Sequence, residues 1–226
     1  MSNTIYQVAT WLIPLVIAIV FHEVAHGWVA RFFGDPTAGR LGRLSLNPIR
    51  HVDPIGTIIV PLGLAIAGAP IFGWAKPVPI DKRRLRNPRL HMMLVALAGP
   101  GMNLLLAALT FLVLGGLTAG FGQNLSSAIL FFDANLVNFA IINVMLAVFN
   151  LLPLPPFDGG HVVEGLLPPS LGARYARLAR YGFPIMILLL VVLPTVSPGT
   201  NIVPRLIGPP VNWILGMGEQ FLSHFG

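Results

Sequence analysis

Three residues near the start of the chain have the types and spacing for metal chemistry: His22, Glu23 and His26, within Phe21-His22-Glu23-Val24-Ala25-His26-Gly27. Residues four apart on an α-helix lie one turn from each other on one face, so both imidazoles can reach one metal ion. Glu23, beside the first histidine, is placed to act as general base toward a water polarised by that ion. A catalytic zinc ordinarily takes three protein ligands and keeps a fourth position open. The chain has no cysteine, so disulfides and thiolate ligands are excluded and any metal must be held by His, Asp or Glu. The remaining candidates for a third ligand are His51, Asp53, His91, Asp133, Asp158, His161 and Glu164. Asp158 is the best placed of these. It follows the break Pro153-Leu154-Pro155-Pro156 and opens an Asp-Gly-Gly run, where glycine allows close backbone approach. The competing reading of Asp158 is an Asx turn or a helix N-cap.

The element that must position His22, Glu23 and His26 is a helix in an unusual setting, since Val8 to Val20 contains no charged residue. Across the 226 residues, 55% are hydrophobic and only 10% charged, with a mean hydropathy of +0.78. Soluble domains carry about 25% charged residues, so the composition argues for a polytopic membrane protein. The longest polar interval, 73–89, is too short to hold a core of its own. Ionisable residues at membrane depth are costly and usually functional, which strengthens the metal reading of the three-residue pattern over inert packing. The net charge is +6. Its cations cluster in Arg31 to Arg50, Lys76 to Arg89 and Arg174 to Arg180, which fits positive-inside topology rather than nucleic-acid binding.

In chain order, a first span runs from about Gln7 to Phe33, with its N-terminus outside and Arg31 inside. It lacks the charged leader and cleavage site of a signal peptide, so it is expected to be retained. A turn-rich region with short-strand character follows over Gly34 to Asp53, where Leu41, Leu44 and Leu46 partly alternate. Pro54 to Phe72 is apolar but flanked by cations on both sides, which favours a re-entrant or partly strand-like excursion over a true span. Leu90 to Gly120 is the clearest span, Asn135 to Leu152 returns inward, and a short helix runs from Asp158 to about Leu167. His26 and Asp158 each lie about nine residues from the inner face, roughly 13 Å deep at helical rise, so they can meet. Tyr181 to Pro194 is a further span, and Ile202 to Phe225 is a last one with a proline-rich start. The expected fold is an all-α polytopic membrane protein with about four to six spans and a small membrane-associated re-entrant or β-structured loop after the first helix. It forms a single domain over 1–226, with a core at about 7–168 and extra membrane segments at about 181–225. No inverted repeat is present, which argues against a transporter.

With these blocks in place, the chain resembles the site-2 protease family, peptidase family M50, of intramembrane zinc metalloproteases. The likeness rests on Phe21 to Gly27, on Ala98-Gly99-Pro100-Gly101-Met102-Asn103, and on Asn150-Leu151-Leu152-Pro153-Leu154-Pro155-Pro156-Phe157-Asp158-Gly159. Asn47 to Pro54 and Gly73 to Pro79 are similar to its bacterial members as well. The resemblance implies one zinc ion per chain, held by His22, His26 and Asp158, with Glu23 as catalytic base. It implies that Asn103, Asn150, Pro153 and Pro155 line the site and help hold an unwound substrate. It also implies a β-structured loop after the first helix that guides substrate. No span precedes that helix here, and neither a PDZ-like nor a CBS-like domain is expected.

The resulting expectation is an endopeptidase that cleaves transmembrane segments of membrane proteins or signal-peptide remnants. It would reside as a multi-pass protein in the bacterial inner membrane, with its site nearer the cytoplasmic face. Its partners would be such substrates and the lipid bilayer, with no nucleic acid, and a homo-oligomer is allowed. The rival reading is a catalytically silent membrane scaffold of the same fold, and the intact His22, Glu23, His26 and Asp158 count against it. His51 and Asp53 are read as shaping a turn, and His161 and Glu164 as outer partners of the site or an ordinary polar helix face. His91 belongs to the membrane interface, His224 to the terminal surface, and Trp11, Trp28 and Trp74 to interfacial anchoring or packing.

Overall fold

The structure, a computed structural model, describes residues 2–68, 73–121, 127–197 and 202–225. Helix α1 (Ser2–Phe32) is followed by a short helix α2 (Thr37–Arg40), a 3-10 turn (Pro48–His51), a π-turn (Pro54–Ile59) and helix α3 (Val60–Ile66). After a 3-10 turn at Lys82–Arg84 come the two long helices α4 (Pro88–Phe121) and α5 (Ser127–Asn150), then α6 (Asp158–Leu166). Helix α7 (Pro169–Ala176), a 3-10 turn, α8 (Gly182–Ile187), a π-turn and α9 (Leu193–Val196) run end to end. Helix α10 (Ile202–Leu222) closes the described chain.

Among the described residues, four stretches are long and apolar enough to cross a membrane: Ile5–Phe32, Pro88–Gly120, Leu130–Asn150 and Pro169–Val196; the last span expected at 202–225 is not one of them. At about 1.5 Å per residue, α1 is roughly 46 Å long, more than the hydrocarbon thickness of about 30 Å. Burial runs opposite to that of a water-soluble protein. Large apolar side chains such as Leu12, Leu105, Leu109 and Leu112 face outward, whereas His22, His26, Asn103, Thr110 and Asn143 are buried. That inversion is what a lipid solvent selects, because polar groups must find partners inside the protein. The chain is an all-α integral membrane protein.

Helices α1, α4 and α5 pack on one another, α6 lies on α4, and α10 lies against α4 and α5. One cluster, of Ala30, Leu85 and Val95, joins α1, the loop and α4; another, of Ala107, Val144 and Val211, joins α4, α5 and α10. The second carries Val211 just past Pro209 and Pro210, so the proline-rich segment is a continuous helix seated on the bundle. Its Pro204 occupies the first turn, where no N–H bond is lost.

The loop between α1 and α4 departs from the expected strand character. Among the described residues there is no β-strand. The region of Leu41, Leu44 and Leu46 forms α2 and turns, and Pro54–Ile66 is helical and, at 13 residues, short for a span, in keeping with a re-entrant excursion. Both π-turns end just before a proline, Pro61 or Pro194, whose ring would clash with the carbonyl four residues back and so widens the helix. Segment 73–81 carries no regular secondary structure. Pro77 and Pro79 have no N–H to donate, so this segment cannot build a regular ladder.

Candidate functional site

The site begins with how α1 ends. Gly34 adopts φ 111°, a left-handed value suited to glycine, and the backbone closes a Schellman motif through Gly34 N–H to Arg31 O and Asp35 N–H to Ala30 O. The buried Asp35 carboxylate then accepts from the backbone N–H of Thr37 at 3.0 Å, from the Thr37 hydroxyl and from Asp81 N–H at 2.6 Å. This buried acid ties the end of the HExxH helix to segment 73–81.

On α1, His22 and His26 project into the bundle with their Nε2 atoms 3.0 Å apart. Asp158, the first residue of α6, brings its Oδ2 to 3.2 Å from His22 Nε2 and 3.3 Å from His26 Nε2. The three ligand-type atoms lie within 4.8 Å of one another. Each imidazole is held from behind. His26 Nδ1 lies 2.7 Å from Val95 O, which can only accept, so Nδ1 carries the proton and Nε2 presents a lone pair. His22 Nδ1 lies 2.5 Å from Asn103 Oδ1.

Whether these residues suit a metal can be tested on their own chemistry. Asp158 Oδ2 is buried and makes no hydrogen bond, although two ring nitrogens stand within 3.3 Å. With the Nδ1 protons turned away from it, three electron-pair donors face one point, an arrangement that repels unless a cation sits among them. The packing leaves the room. A Cβ at Gly99 of α4 would fall 2.4 Å from His26 Nε2 and 2.6 Å from His22 Nε2, so only glycine lets α4 approach the imidazoles. The set His22, His26 and Asp158 fits a divalent metal of the zinc type.

In front of this cluster is a cleft of about 660 Å³, lined by Glu23, Trp74, Val78, Phe149, Asn150, Phe157 and His161 among others. Its outer wall is the irregular segment 73–81, which is fastened along its length. Trp74 N–H donates to Gly56 O, Lys76 N–H to His51 O, Val78 N–H to Glu23 Oε2 at 2.8 Å, and Lys82 Nζ meets Glu164 Oε1 at 2.5 Å. The Val78 bond holds the Glu23 carboxylate at the cleft beside the histidines. Trp74 also packs edge-on against Phe183.

Of the residues singled out from sequence, His22, His26 and Asp158 converge, and Glu23 and Asn150 line the same cleft. Asn103 is placed differently from expectation. It is fully buried behind His22, because its amide is consumed by bonds to His22, Ala18 O and Asn143, and so it stands off the substrate-facing wall. Asn150 donates to Leu146 O of its own helix. Pro155 lines a neighbouring hollow of about 360 Å³ with Lys82, Glu164 and Tyr175, while the exposed Pro153 offers its carbonyl to the Tyr175 hydroxyl. His51 is buried with Nε2 on Ser45 O, and Asp53 caps the π-turn through Ile55 and Gly56 N–H. His161 and Glu164 form a 3.3 Å pair at the cleft rim, and His91 stacks on Phe33. Sequence reasoning misses Asn143, Asp35 and the Val78 N–H. Asn143 has a readable signal, a polar side chain deep in an apolar helix two turns before Asn150. A backbone donor such as that of Val78 has none.

Among the described residues, four membrane-length apolar stretches, the first carrying HExxH, define the class as an integral membrane metalloprotease. A model of the family described as Peptidase family M50 matches residues 10–193. The chain belongs to peptidase family M50, and membership implies zinc as its metal. It is 43% identical over 187 residues to "Putative zinc metalloprotease YwhC" of Bacillus subtilis, covering 81% of this chain and 80% of that protein. It is also 32% identical over 188 residues to "Putative zinc metalloprotease Rip2" of Mycolicibacterium smegmatis, covering 83% and 67%. Against the protein of the same name in Mycobacterium tuberculosis the figures are 27% over 203 residues, covering 84% and 68%. No solved structure matches the chain.

Proposed function

We propose that this chain is an intramembrane zinc endopeptidase that hydrolyses peptide bonds within or near transmembrane segments of other membrane proteins. The observation that carries this reading is the convergence of His22 Nε2, His26 Nε2 and Asp158 Oδ2 on one buried point inside an apolar bundle, with Glu23 at the adjoining cleft. His22, His26 and Asp158 would hold the ion. Zinc, when bound there, supplies Lewis acidity that polarises a carbonyl and acidifies water. Glu23 takes the proton of the attacking water on its carboxylate and passes it to the leaving amine. The Val78 N–H, bonded to Oε2, holds that carboxylate toward the cleft. Trp74, Phe149 and Phe157 wall the cleft with apolar surface, which suits a hydrophobic substrate segment.

A peptide bond in a membrane helix is shielded by its own backbone hydrogen bonds, so the bound segment must unwind locally before it reaches Glu23. The cations of the loop between α1 and α4, from Arg31 to Arg89, support a bacterial inner-membrane orientation with the site nearer the cytoplasmic face. The test is cleavage of a single-span reporter by the purified protein in lipid vesicles, with product termini located by mass spectrometry. Wild type should cut within or beside the span. Glu23→Gln should lose about 10²–10⁴-fold in rate while retaining one zinc per chain. Full activity in Glu23→Gln, or cuts confined to regions remote from the span, would overturn the reading.

A further inference from the structure

Behind His22 lies a chain of side chains that no part of the mechanism above uses. Asn143 of α5 and Asn103 of α4 are both fully buried. Asn143 Nδ2 donates to Phe139 O at 2.8 Å, Asn103 Nδ2 donates to Asn143 Oδ1 at 2.7 Å and to Ala18 O at 3.3 Å, and Asn103 Oδ1 meets His22 Nδ1 at 2.5 Å. An amide can be placed either way round, but here both ends are decided. Phe139 O and Ala18 O are backbone carbonyls and can only accept, so each must face an NH₂ group. Asn143 is thereby forced to offer its oxygen to Asn103, and Asn103 to offer its oxygen to His22. The only remaining partner is a proton on His22 Nδ1.

We infer that Asn143 is a positioning residue for the metal centre, acting through Asn103 to fix the His22 ring in the Nδ1–H form with its Nε2 lone pair aimed at His26 and Asp158. The inference rests on the reading of His22 as a zinc ligand. The arrangement makes α5 a working part of the site, although it contributes no ligand. It also explains why two asparagines are kept at 0% exposure inside an apolar bundle, where each unpartnered amide would be costly. Outer partners of this kind commonly contribute about 10–100-fold in metal affinity.

A built-in control lies one and a half turns earlier on the same helix. Asn138 Nδ2 donates to Thr10 O at 2.9 Å, so it too ties α5 to α1, but no described contact leads from it to a histidine. The experiment uses the purified full chain in detergent. Zinc affinity is measured by competition with a chelator of known affinity, and the His22 Nδ1 proton is followed by NMR on histidine labelled with nitrogen-15. Asn143→Leu should weaken zinc binding by about 10–100-fold and shift or lose the His22 Nδ1 proton signal. Asn138→Leu should change affinity less than about threefold and leave that signal in place. Asn143→Thr, whose hydroxyl can bond both Phe139 O and Asn103 as Thr110 already bonds Leu106 O, should recover most of the affinity; it also serves if the leucine variant fails to fold.

Equal losses in the Asn143 and Asn138 variants would reduce Asn143 to an ordinary helix tether and overturn the inference. So would an unchanged affinity and Nδ1 signal in Asn143→Leu. If wild type binds no zinc, the ligand reading fails instead, and the relay is then decided on the His22 Nδ1 proton alone.

Discussion

The two sides of the histidine pair are built by opposite means. Behind His22 and His26, the contacts come from long helices, and each Nδ1 meets an acceptor: Val95 O for His26, and for His22 the Asn103 amide, which is oriented by Ala18 O and, through Asn143, by Phe139 O. In front, the cleft wall is the irregular segment 73–81, held by hydrogen bonds to Gly56, Thr57, His51, Arg43, Glu23 and Asp35, with the Lys82–Glu164 pair just beyond it. The rear has no space to adjust, whereas the front is attached at points that can be released one at a time. A metal centre needs the first property, since ligand geometry must survive without reorganisation. The proposed substrate, a membrane helix that must be unwound, would need the second.

Breaking the centre that both sides share should have the largest effect. Asp158→Asn removes the anionic donor that α6 supplies and should lower zinc affinity more than about 100-fold, beyond the 10–100-fold range of outer partners. Chelator competition on the purified protein measures it, and unchanged affinity would assign the third ligand elsewhere.

The room at the shared centre is tested by a single methyl group. In Gly99→Ala the new Cβ would lie 2.4–2.6 Å from the imidazole atoms of His26 and His22. Because both rings are pinned from the other side, the clash should cost about 1–3 kcal/mol of stability, together with weaker zinc binding. Wild-type thermal stability and affinity in this variant would mean that the rings shift to make room.

The front should respond least. Burial pushes the Glu164 carboxyl up, but the hydrogen bond and charge of Lys82, with help from His161, outweigh it and hold the group below its ordinary value of 4.5. A folded-state value below the unfolded one contributes stability that is complete above about pH 4.5 and is lost as pH falls through the depressed value. Lys82→Met should therefore cost less than about 1 kcal/mol near neutrality, and its unfolding midpoint should converge on that of wild type in acid. A difference that persists undiminished at low pH would show that the lysine acts by packing and not by charge.

Much of the site is legible in the order and spacing of residues. HExxH on an uncharged helix names a metal, a base and a solvent at once, because the helical period sets the spacing of His22 and His26 and hydrocarbon makes their presence costly. Asp158 is reachable by its place after the proline break and by depth, since membrane spans run at a known rise. Asn103 is legible as a polar residue at depth but not in its direction: sequence places it on α4, and only the packing of α4 against α1 and α5 turns it behind His22. The loop after α1 suggests strands because alternation in Leu41, Leu44 and Leu46 and an apolar run after Pro54 resemble them locally, while prolines and the missing pairing partner decide otherwise.

The amino-acid sequence alone pointed to a membrane solvent, to most of the spans and to a metal-ligating residue set, because these follow from residue type and helical period. The tertiary structure alone decided which asparagine supports which histidine, why residue 99 is glycine, and that a backbone N–H of Val78 holds Glu23. These depend on distances between segments 40 to 85 positions apart, and no local rule of the chain encodes such distances.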